Sequence, residues 1–371
     1  MKRIIAITVT VLLVSAVIFS GCAEPAEPTE PTTPTEPTEP TKPTEPTEPV
    51  KPIEWTFASF IPPFDVYATE AENWAKGLEE ATDGRLKITC YFAESFVKMP
   101  GLPDAVSAGT AQLAQAYTGG LPGRFPLGQV FNLVMIFDSP SQAGQTAIAL
   151  INKYKEFQDE YYPTKVVWYQ CPGPSNLFTT KVPVHTMEDL KGLKIASVGA
   201  YEIKAYELLG ATPLMIFVAE VYHALETGVS DGNSTDHNGQ WISKNQEVTK
   251  YRTDNINMSM FTFPTLMNIE AYNNLPGDIR GIFDELTDPA EFSRRINKEW
   301  EEFANGSAAK IKEFDKKVGN PEWYVLPEAE RERWKEVVWP VNEEWASQME
   351  AKGLPGKAVL ADAIAFAEQY K

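Results

Sequence analysis

Between Pro25 and Pro52 a proline returns at every third position, with Thr and Glu in the gaps, as in Thr35-Glu36-Pro37-Thr38-Glu39-Pro40. Proline fixes φ and removes a backbone donor, so neither helix interior nor central strand can form there. A three-residue period matches polyproline II, which needs no internal hydrogen bonds. The stretch therefore reads as an extended spacer of roughly 85 Å at about 3.1 Å per residue. It divides the chain into a short N-terminal piece and a large C-terminal one.

The N-terminal piece opens with Lys2 and Arg3, continues with an apolar run over 4–19, and reaches Cys22 through Ser20-Gly21. That order predicts an export signal over 1–21. The small pair before Cys22 resembles a bacterial lipobox, which implies a lipid on the Cys22 thiol and attachment to a membrane, although Phe19 stands where leucine is usual. An uncleaved anchor is the alternative, since roughly 17 apolar residues sit at the lower limit of a bilayer span. Both alternatives place the domain outside the cytoplasm, periplasmic or at the cell surface, behind a linker over 22–52.

About 320 residues follow the spacer, more than one ordinary core holds and suited to two lobes. A formal charge of −18 argues against nucleic acid as a partner. Past Cys22, Cys90 and Cys171 are too few for a disulfide framework or a metal site; two buried thiols and one bridge between them are the alternatives.

Strand and helix patterns alternate from residue 53. A β-rich stretch over 55–60 precedes a helical pattern over 67–80, with Ala71, Trp74, Ala75 and Leu78 on one face. Strands are expected over 86–92, 165–170, 178–180, 193–197 and 214–217, with helices over 102–108, 201–209 and 220–226. The run 258–262 reads as a strand returning to the first lobe, and 231–238 as a polar loop. From residue 288 the pattern is almost purely helical, including a long helix over 290–317, then 327–351 and 358–370. Alternation of this kind predicts mainly parallel sheets covered on both faces.

The most specific signal is a set of three linked blocks: Met187-Glu188-Asp189-Leu190-Lys191-Gly192-Leu193-Lys194-Ile195, then Leu209-Gly210-Ala211-Thr212-Pro213, then the stretch from Ala219-Glu220-Val221-Tyr222-His223-Ala224-Leu225 to Asp231-Gly232. In their order and spacing these resemble the periplasmic solute-binding proteins of tripartite ATP-independent (TRAP) transporters, of the DctP type. Arg124-Phe125-Pro126-Leu127 and Trp339-Pro340-Val341-Asn342-Glu343-Glu344-Trp345 extend the resemblance more weakly. It implies an α/β, two-lobed periplasmic-binding-protein fold, with mixed sheets flanked by helices and a long helix spanning both lobes. It also implies delivery of a small organic solute to TRAP membrane permease subunits driven by an ion gradient. We expect lobe I over 53–173 and 262–301, and lobe II with the C-terminal helices over 174–261 and 302–371.

In that family an arginine usually follows the Leu-Lys-Ile strand and clamps the ligand carboxylate in a bidentate pair. Here the position is Ala196, and Asn176 stands where a second arginine is common. Tyr117 takes the place of a polar or acidic pocket residue, and Thr235 that of an asparagine. A carboxylate held in the usual way is thus not expected. The expected cleft takes a neutral or largely apolar molecule, with Phe60, Tyr117, Trp168, Phe217 and Trp241 as walls and Gln170, Asn176 and Thr235 orienting polar atoms. The segment from Ala196 to Ala200 leads a strand into a helix N-terminus that can receive a polar ligand.

Catalysis finds no support: His185, His223 and His237 form no His-Glu-x-x-His pair, and there is no nucleophile elbow or Walker loop. Asp231, Asp236 and His237 read as turn chemistry rather than metal ligands. No enzyme activity, cofactor or metal is expected. A surface sensor or adhesin, and an extracytoplasmic hydrolase, are the alternatives.

Overall fold

The computed structural model describes residues 51–371, Pro122 and Glu322 excepted. The expected signal over 1–21, the lipid site at Cys22 and nearly all of the 22–52 linker lie outside the described residues.

Two mixed sheets organise the chain. The first runs β2-β1-β3-β10-β4 and is built from β1 (Ile53–Ala58), β2 (Leu86–Tyr91), β3 (Leu113–Gln115), β4 (Thr164–Gln170) and β10 (Phe263–Asn268). The second runs β11-β9-β5-β8-β6-β7, from β5 (Asn176–Thr179), β6 (Lys194–Ser197), β7 (Thr212–Met215), β8 (Gly232–Thr235), β9 (Tyr251–Asp254) and β11 (Tyr324–Val325). The α-helices in chain order are α1 (Val66–Ala81), α2 (Leu102–Ser107), α3 (Pro140–Lys153), α4 (Lys155–Tyr161), α5 (Ala200–Leu208), α6 (Val218–Thr227), α7 (His237–Ile242), α8 (Ile269–Asn273), α9 (Gly277–Leu286), α10 (Pro289–Val318), α11 (Glu328–Val338), α12 (Pro340–Ala351) and α13 (Gly356–Gln369).

The first unit shows how sequence becomes architecture. β1 pairs in parallel with β2, Ile53 opposite Leu86 through Ala58 opposite Tyr91, and α1 is the crossover between them. Asp65 starts α1 by accepting from the Tyr67 N–H. Tyr67, Ala71, Trp74, Ala75 and Leu78 then recur at helical spacing and are buried. Thr82 ends the helix by donating its hydroxyl to the Leu78 carbonyl, and Gly84, at φ 73°, makes the turn into β2.

Lobe I has two cores. Trp55, Phe57, Trp74, Trp168, Phe283 and Phe292 fill one face of its sheet, with the Trp74 and Trp168 rings edge to face at 5.0 Å. Each buried ring of this size removes some 150–250 Å² from water, roughly 4–6 kcal/mol of transfer free energy. The other face packs on α3, which in turn packs on α13 through residues such as Ala143, Ala147, Val359 and Ala363. Lobe II is held by Leu177, Ile195, Tyr206, Trp334 and Val338, which join its sheet to α5 and α11. The C-terminal helices therefore divide. α11 packs into the lobe II core, α12 gives Val341 to that core and Trp345 and Met349 to a lobe I core, and α13 adds Val359 and Leu360 to the latter.

The chain passes between the sheets in two short segments, over 171–175 and over 255–262, and a third time through α10 on the way from β10 to β11; the two short passages are tied together. Ser175 N–H donates to the Ser259 carbonyl at 2.8 Å, and Met258 N–H donates to the Ser175 carbonyl at 2.9 Å. The expected return strand over 258–262 is consequently part of a crossing rather than a strand, and the strand proper, β10, begins at Phe263 and runs antiparallel to β3 and β4. Asn255 and Asn257, at φ 64° and 50°, end the extended path that the apolar run alone would continue. The expected polar loop over 231–238 differs more: 232–235 is β8, between β5 and β6 near the centre of the second sheet. Two of its side chains are polar because they bond buried partners outside the strand, Asn233 to Gln240 and Ser234 to Glu202.

α10 spans both lobes. Its first half is stitched to β4, where Ser293 Oγ accepts from Tyr169 N–H, and Asn297 accepts from Cys171 N–H while donating to the Tyr169 carbonyl. Its second half reaches α7 through Ser307 and β9 through Asp315, whose carboxylate pairs with Arg252 at 2.8 Å. Between these halves lie Asn305 and Gly306, both exposed. Cys90 and Cys171 are unbridged thiols; burial pushes the half-buried Cys90 up to about 12 and the buried Cys171 higher still.

Candidate functional site

A cavity of about 260 Å³ opens where the two sheets and the crossings meet. Lobe I supplies Phe60, Ile61 and Asp65 from the loop after β1; the crossings supply Pro172, Phe261 and, at the start of β10, Phe263. Lobe II supplies Ala196 and Ser197 of β6, the residues flanking β7, and 233–236 of β8 and its exit. Trp300 enters from α10. β1, β6, β7 and β8 all present their C-terminal ends, the rim where open α/β sheets bind ligands. Loops there are free to vary while the strands fix their roots.

Aromatic rings line the lobe I side. Phe60 and Phe263 meet edge to face at 5.3 Å, and Tyr117 stands behind them, 5.6 Å from Phe263 and 5.9 Å from Phe261. The lobe II side mixes the apolar Val198, Ile216, Val218 and Val221 with polar and acidic residues. Asp236 caps α7 by accepting from the N–H groups of Asn238 and Gly239. Glu202, on the first turn of α5 and fully buried, takes hydroxyl donations from Ser197 and Ser234, two residues of the cavity wall. Its carboxyl is pushed up, chiefly by burial.

Two carboxylates belong to the wall itself. Burial pushes Asp65 up to about 6, against the Tyr67 N–H that lowers it, and the negative charge of Asp236 adds to the rise. Asp236 is likewise pushed up by burial, opposed by the Gly239 and Asn238 N–H groups and by His237. No arginine, lysine or histidine stands among the described residues that line the cavity.

Of the residues singled out in the sequence, Phe60, Ala196 and Thr235 stand in the wall. Phe217 lies between two wall residues, Ile216 and Val218, and is 66% exposed. Ala200 is the exposed first residue of α5, beside the wall at 196–198. Gln170 lies beneath the lobe I sheet edge, where it accepts from Gln115. Asn176 fastens the crossings, its Oδ1 accepting from Ile256 N–H at 3.0 Å. Trp168 is fully buried in the lobe I core, stacked on Phe57 and tilted against Phe292. Trp241 packs under Lys310 of α10.

Asp65, Asn233, Asp236, Phe261, Phe263 and Trp300 complete the wall without having been singled out for binding. Asp65 carries a legible signal, an aspartate directly before an amphipathic helix, but that signal reads equally as a cap. Asp231, Asp236 and His237 point to separate tasks: Asp231 accepts from Lys194 N–H, Asp236 caps α7, and His237 Nε2 lies 3.1 Å from Asp254.

The family model of the bacterial extracellular solute-binding proteins, family 7 (DctP), matches residues 57–348. The C4-dicarboxylate-binding periplasmic protein DctP of Rhodobacter capsulatus is 29% identical over 178 residues, 47% of this chain and 51% of that protein. The 2,3-diketo-L-gulonate-binding periplasmic protein YiaO of Escherichia coli is 27% identical over 175 residues, 47% of this chain and 53% of that protein. The chain thus spans about half the length of these two relatives. A crystal structure of a TRAP periplasmic solute-binding protein from Desulfovibrio salexigens superposes with a TM-score of 0.78 at 28% identity, covering 86% of this chain and 97% of that one. Another from Rhodoferax ferrireducens, in complex with copurified benzoate, gives 0.75 at 23% identity over 86% and 98%. With most of its length inside one family model and its two-lobed fold shared with solved members, the chain belongs to the DctP family of bacterial extracellular solute-binding proteins.

Proposed function

We propose that this chain is the extracytoplasmic solute receptor of a TRAP transporter, tethered by a lipid on Cys22, which captures a small organic molecule between its lobes and hands it to the permease subunits. The observation that carries this reading is the cavity itself, whose wall is drawn from both sheets, both crossings and α10. A ligand there touches parts that belong to different lobes, so its contacts favour the closed arrangement over the open one and shift a hinge equilibrium. The relatives named for a C4-dicarboxylate and for 2,3-diketo-L-gulonate make small organic molecules the expected class.

The ligand is not a carboxylate held by the usual arginine. Ala196 takes the place where the resemblance puts that arginine, and no arginine, lysine or histidine is among the described residues of the wall. The reading assigns the chain no catalytic role. Differential scanning fluorimetry of the full chain against a metabolite library, with small-angle scattering of each hit, tests the receptor function. A raised melting point together with a smaller radius of gyration is expected. A library that shifts nothing would leave the sensor or adhesin alternatives standing. Mass spectrometry of the peptide beginning at Cys22 tests the anchor, for which a diacylglyceryl mass on the cysteine is expected.

A further inference from the structure

Among its described residues the cavity wall carries two carboxylates and no cationic side chain. Asp65 and Asp236 face it from different lobes, and each gives one carboxylate oxygen to a helix cap. No donor of another described residue reaches the second oxygen of either. Asn233, 2% exposed, presents a third acceptor, since its Oδ1 has no partner. The orientation of that amide is fixed by a chain of bonds. Arg252 is a pure donor and donates to Thr249 Oγ1 at 2.9 Å, while the Thr249 hydroxyl gives its proton to the Asn245 carbonyl. Gln240 must then donate its Nε2 to Thr249, which turns its Oε1 to receive Asn233 Nδ2 at 3.0 Å. Asn233 is left with its oxygen free. Asn245 Oδ1, also in the wall, has no partner either. Among the fully buried wall atoms of the described residues, the Trp300 indole N–H is an unpartnered donor.

An anion in this cavity would meet two carboxylates and no cation. A neutral apolar solute would leave two charges and a buried amide oxygen unpaired, each costly away from water. A protonated amine supplies the positive charge absent from the described wall, together with N–H groups for its carboxylates. The Phe60, Phe261 and Phe263 rings beside the carboxylates suit an apolar body and also attract a cation over their faces. At about 260 Å³ the space equals that of about nine waters at ~30 Å³ each, which fits a small molecule.

We propose that the cleft is built for a small organic cation, a primary or secondary ammonium received by Asp65, Asp236 and the Asn233 carbonyl, with its apolar part against the three phenylalanines. The inference rests on the receptor reading and names its ligand class.

Isothermal titration of the full chain with matched pairs tests it: butylamine and butyrate, benzylamine and benzoate, phenethylamine and phenylacetate, with benzyltrimethylammonium as a cation without N–H donors. At least one amine should bind at least 100-fold more tightly than its matched carboxylate, and more tightly than the trimethylated cation. Asp65→Asn and Asp236→Asn should each weaken that amine at least 30-fold while leaving the melting point of the empty protein within a few degrees, because asparagine caps a helix as well as aspartate does. Asn233→Leu, which removes the acceptor at similar volume, should weaken the amine about tenfold. Binding of a carboxylate without any amine overturns the cationic ligand and leaves the receptor reading intact. Tighter binding of the trimethylated cation overturns the hydrogen-bonded ammonium. Amine affinity unchanged in both aspartate variants overturns the site, and silence towards every compound overturns the site and the receptor reading together.

Discussion

Each lobe brings a relay of buried polar side chains up to the cleft, and the two relays differ in what holds their direction. In lobe I, Ser59 donates to Gln115 Oε1 and Gln115 Nε2 donates to Gln170 Oε1, both at 2.6 Å, and Gln170 Nε2 is left without a partner. Every member is neutral. Hydroxyls and amides can each donate or accept, so this relay is held in place by geometry and carries no fixed polarity. In lobe II the relay from Asn233 through Gln240 and Thr249 ends on Arg252, which is locked to Asp315 with side-chain exposures of 1% and 5%. Thr249 gives its one proton to the Asn245 carbonyl and the guanidinium cannot accept, so Gln240 must donate to Thr249 and the sense of the bonds above follows. A buried salt bridge is poor evidence of stability; here it holds Arg252 beneath Thr249, at the foot of the bonds that orient the Asn233 amide.

The largest break in that contrast should come from Arg252→Met. Removing the guanidinium leaves Asp315 buried with just Asn320 and Trp323 as donors, and we expect a loss of about 3–5 kcal/mol in urea unfolding. Amine affinity should fall with it, because Thr249 loses the donor beneath it and the Gln240–Asn233 pair above is held less firmly. Gln115→Leu cuts the lobe I relay and strands Gln170, for an expected cost of about 1–3 kcal/mol. Its amine affinity should stay within about twofold, since Gln115 is not in the wall; a larger loss would erase the distinction between the lobes.

A third test uses pH. Asp65 is raised to about 6 by burial, with Tyr67 N–H and Asp236 as its near partners. In the empty protein a raised carboxyl favours folding while protonated, so its contribution is complete below the ordinary aspartate range and fades as pH rises through about 6. Amine binding has the opposite sign. It should weaken by about tenfold for each pH unit below 6 as Asp65 takes up its proton, as calorimetry from pH 7.5 to 4.5 would show. An affinity flat across that range would remove Asp65 from the site. The smallest effect concerns the junction of the lobes. Gly306 is exposed on α10 and a Cβ there would meet nothing within 4 Å, so Gly306→Ala should stabilise the empty protein by about 1 kcal/mol. Thermal unfolding with calorimetry measures it.

Much of the scaffold was legible in sequence because it follows single periodicities. The helix expected over 290–317 is α10 at Pro289–Val318, and the 67–80 pattern is α1 at Val66–Ala81. Failures came where side chains serve something other than a core. β8 reads as a loop because Asn233 and Ser234 are buried to bond Gln240 and Glu202, not to fill apolar space. The run 258–262 reads as a strand because its apolar residues serve the crossing and the cavity, as Phe261 does. Ala196, where the resemblance leads one to expect an arginine, was visible, whereas the wall carboxylates Asp65 and Asp236 were hidden in plain helix caps. Trp168 shows the converse: aromatic identity alone does not separate a ligand wall from a core centre.

One feature of the scaffold sets the scale of any opening. α10 is a single rod, roughly 45 Å long at 1.5 Å per residue, bolted to lobe I at Asn297 and to lobe II at Asp315. The halves of the receptor cannot part without flexing it, and a glycine beside a serine is where helices bend most readily. From Gly306 to Asp315 the lever arm is about 14 Å, so a bend of about 10° swings its far end by about 2 Å. The rod thus behaves as a leaf spring, turning a modest elastic deflection into a parting of the jaws by about 2 Å and returning them when released.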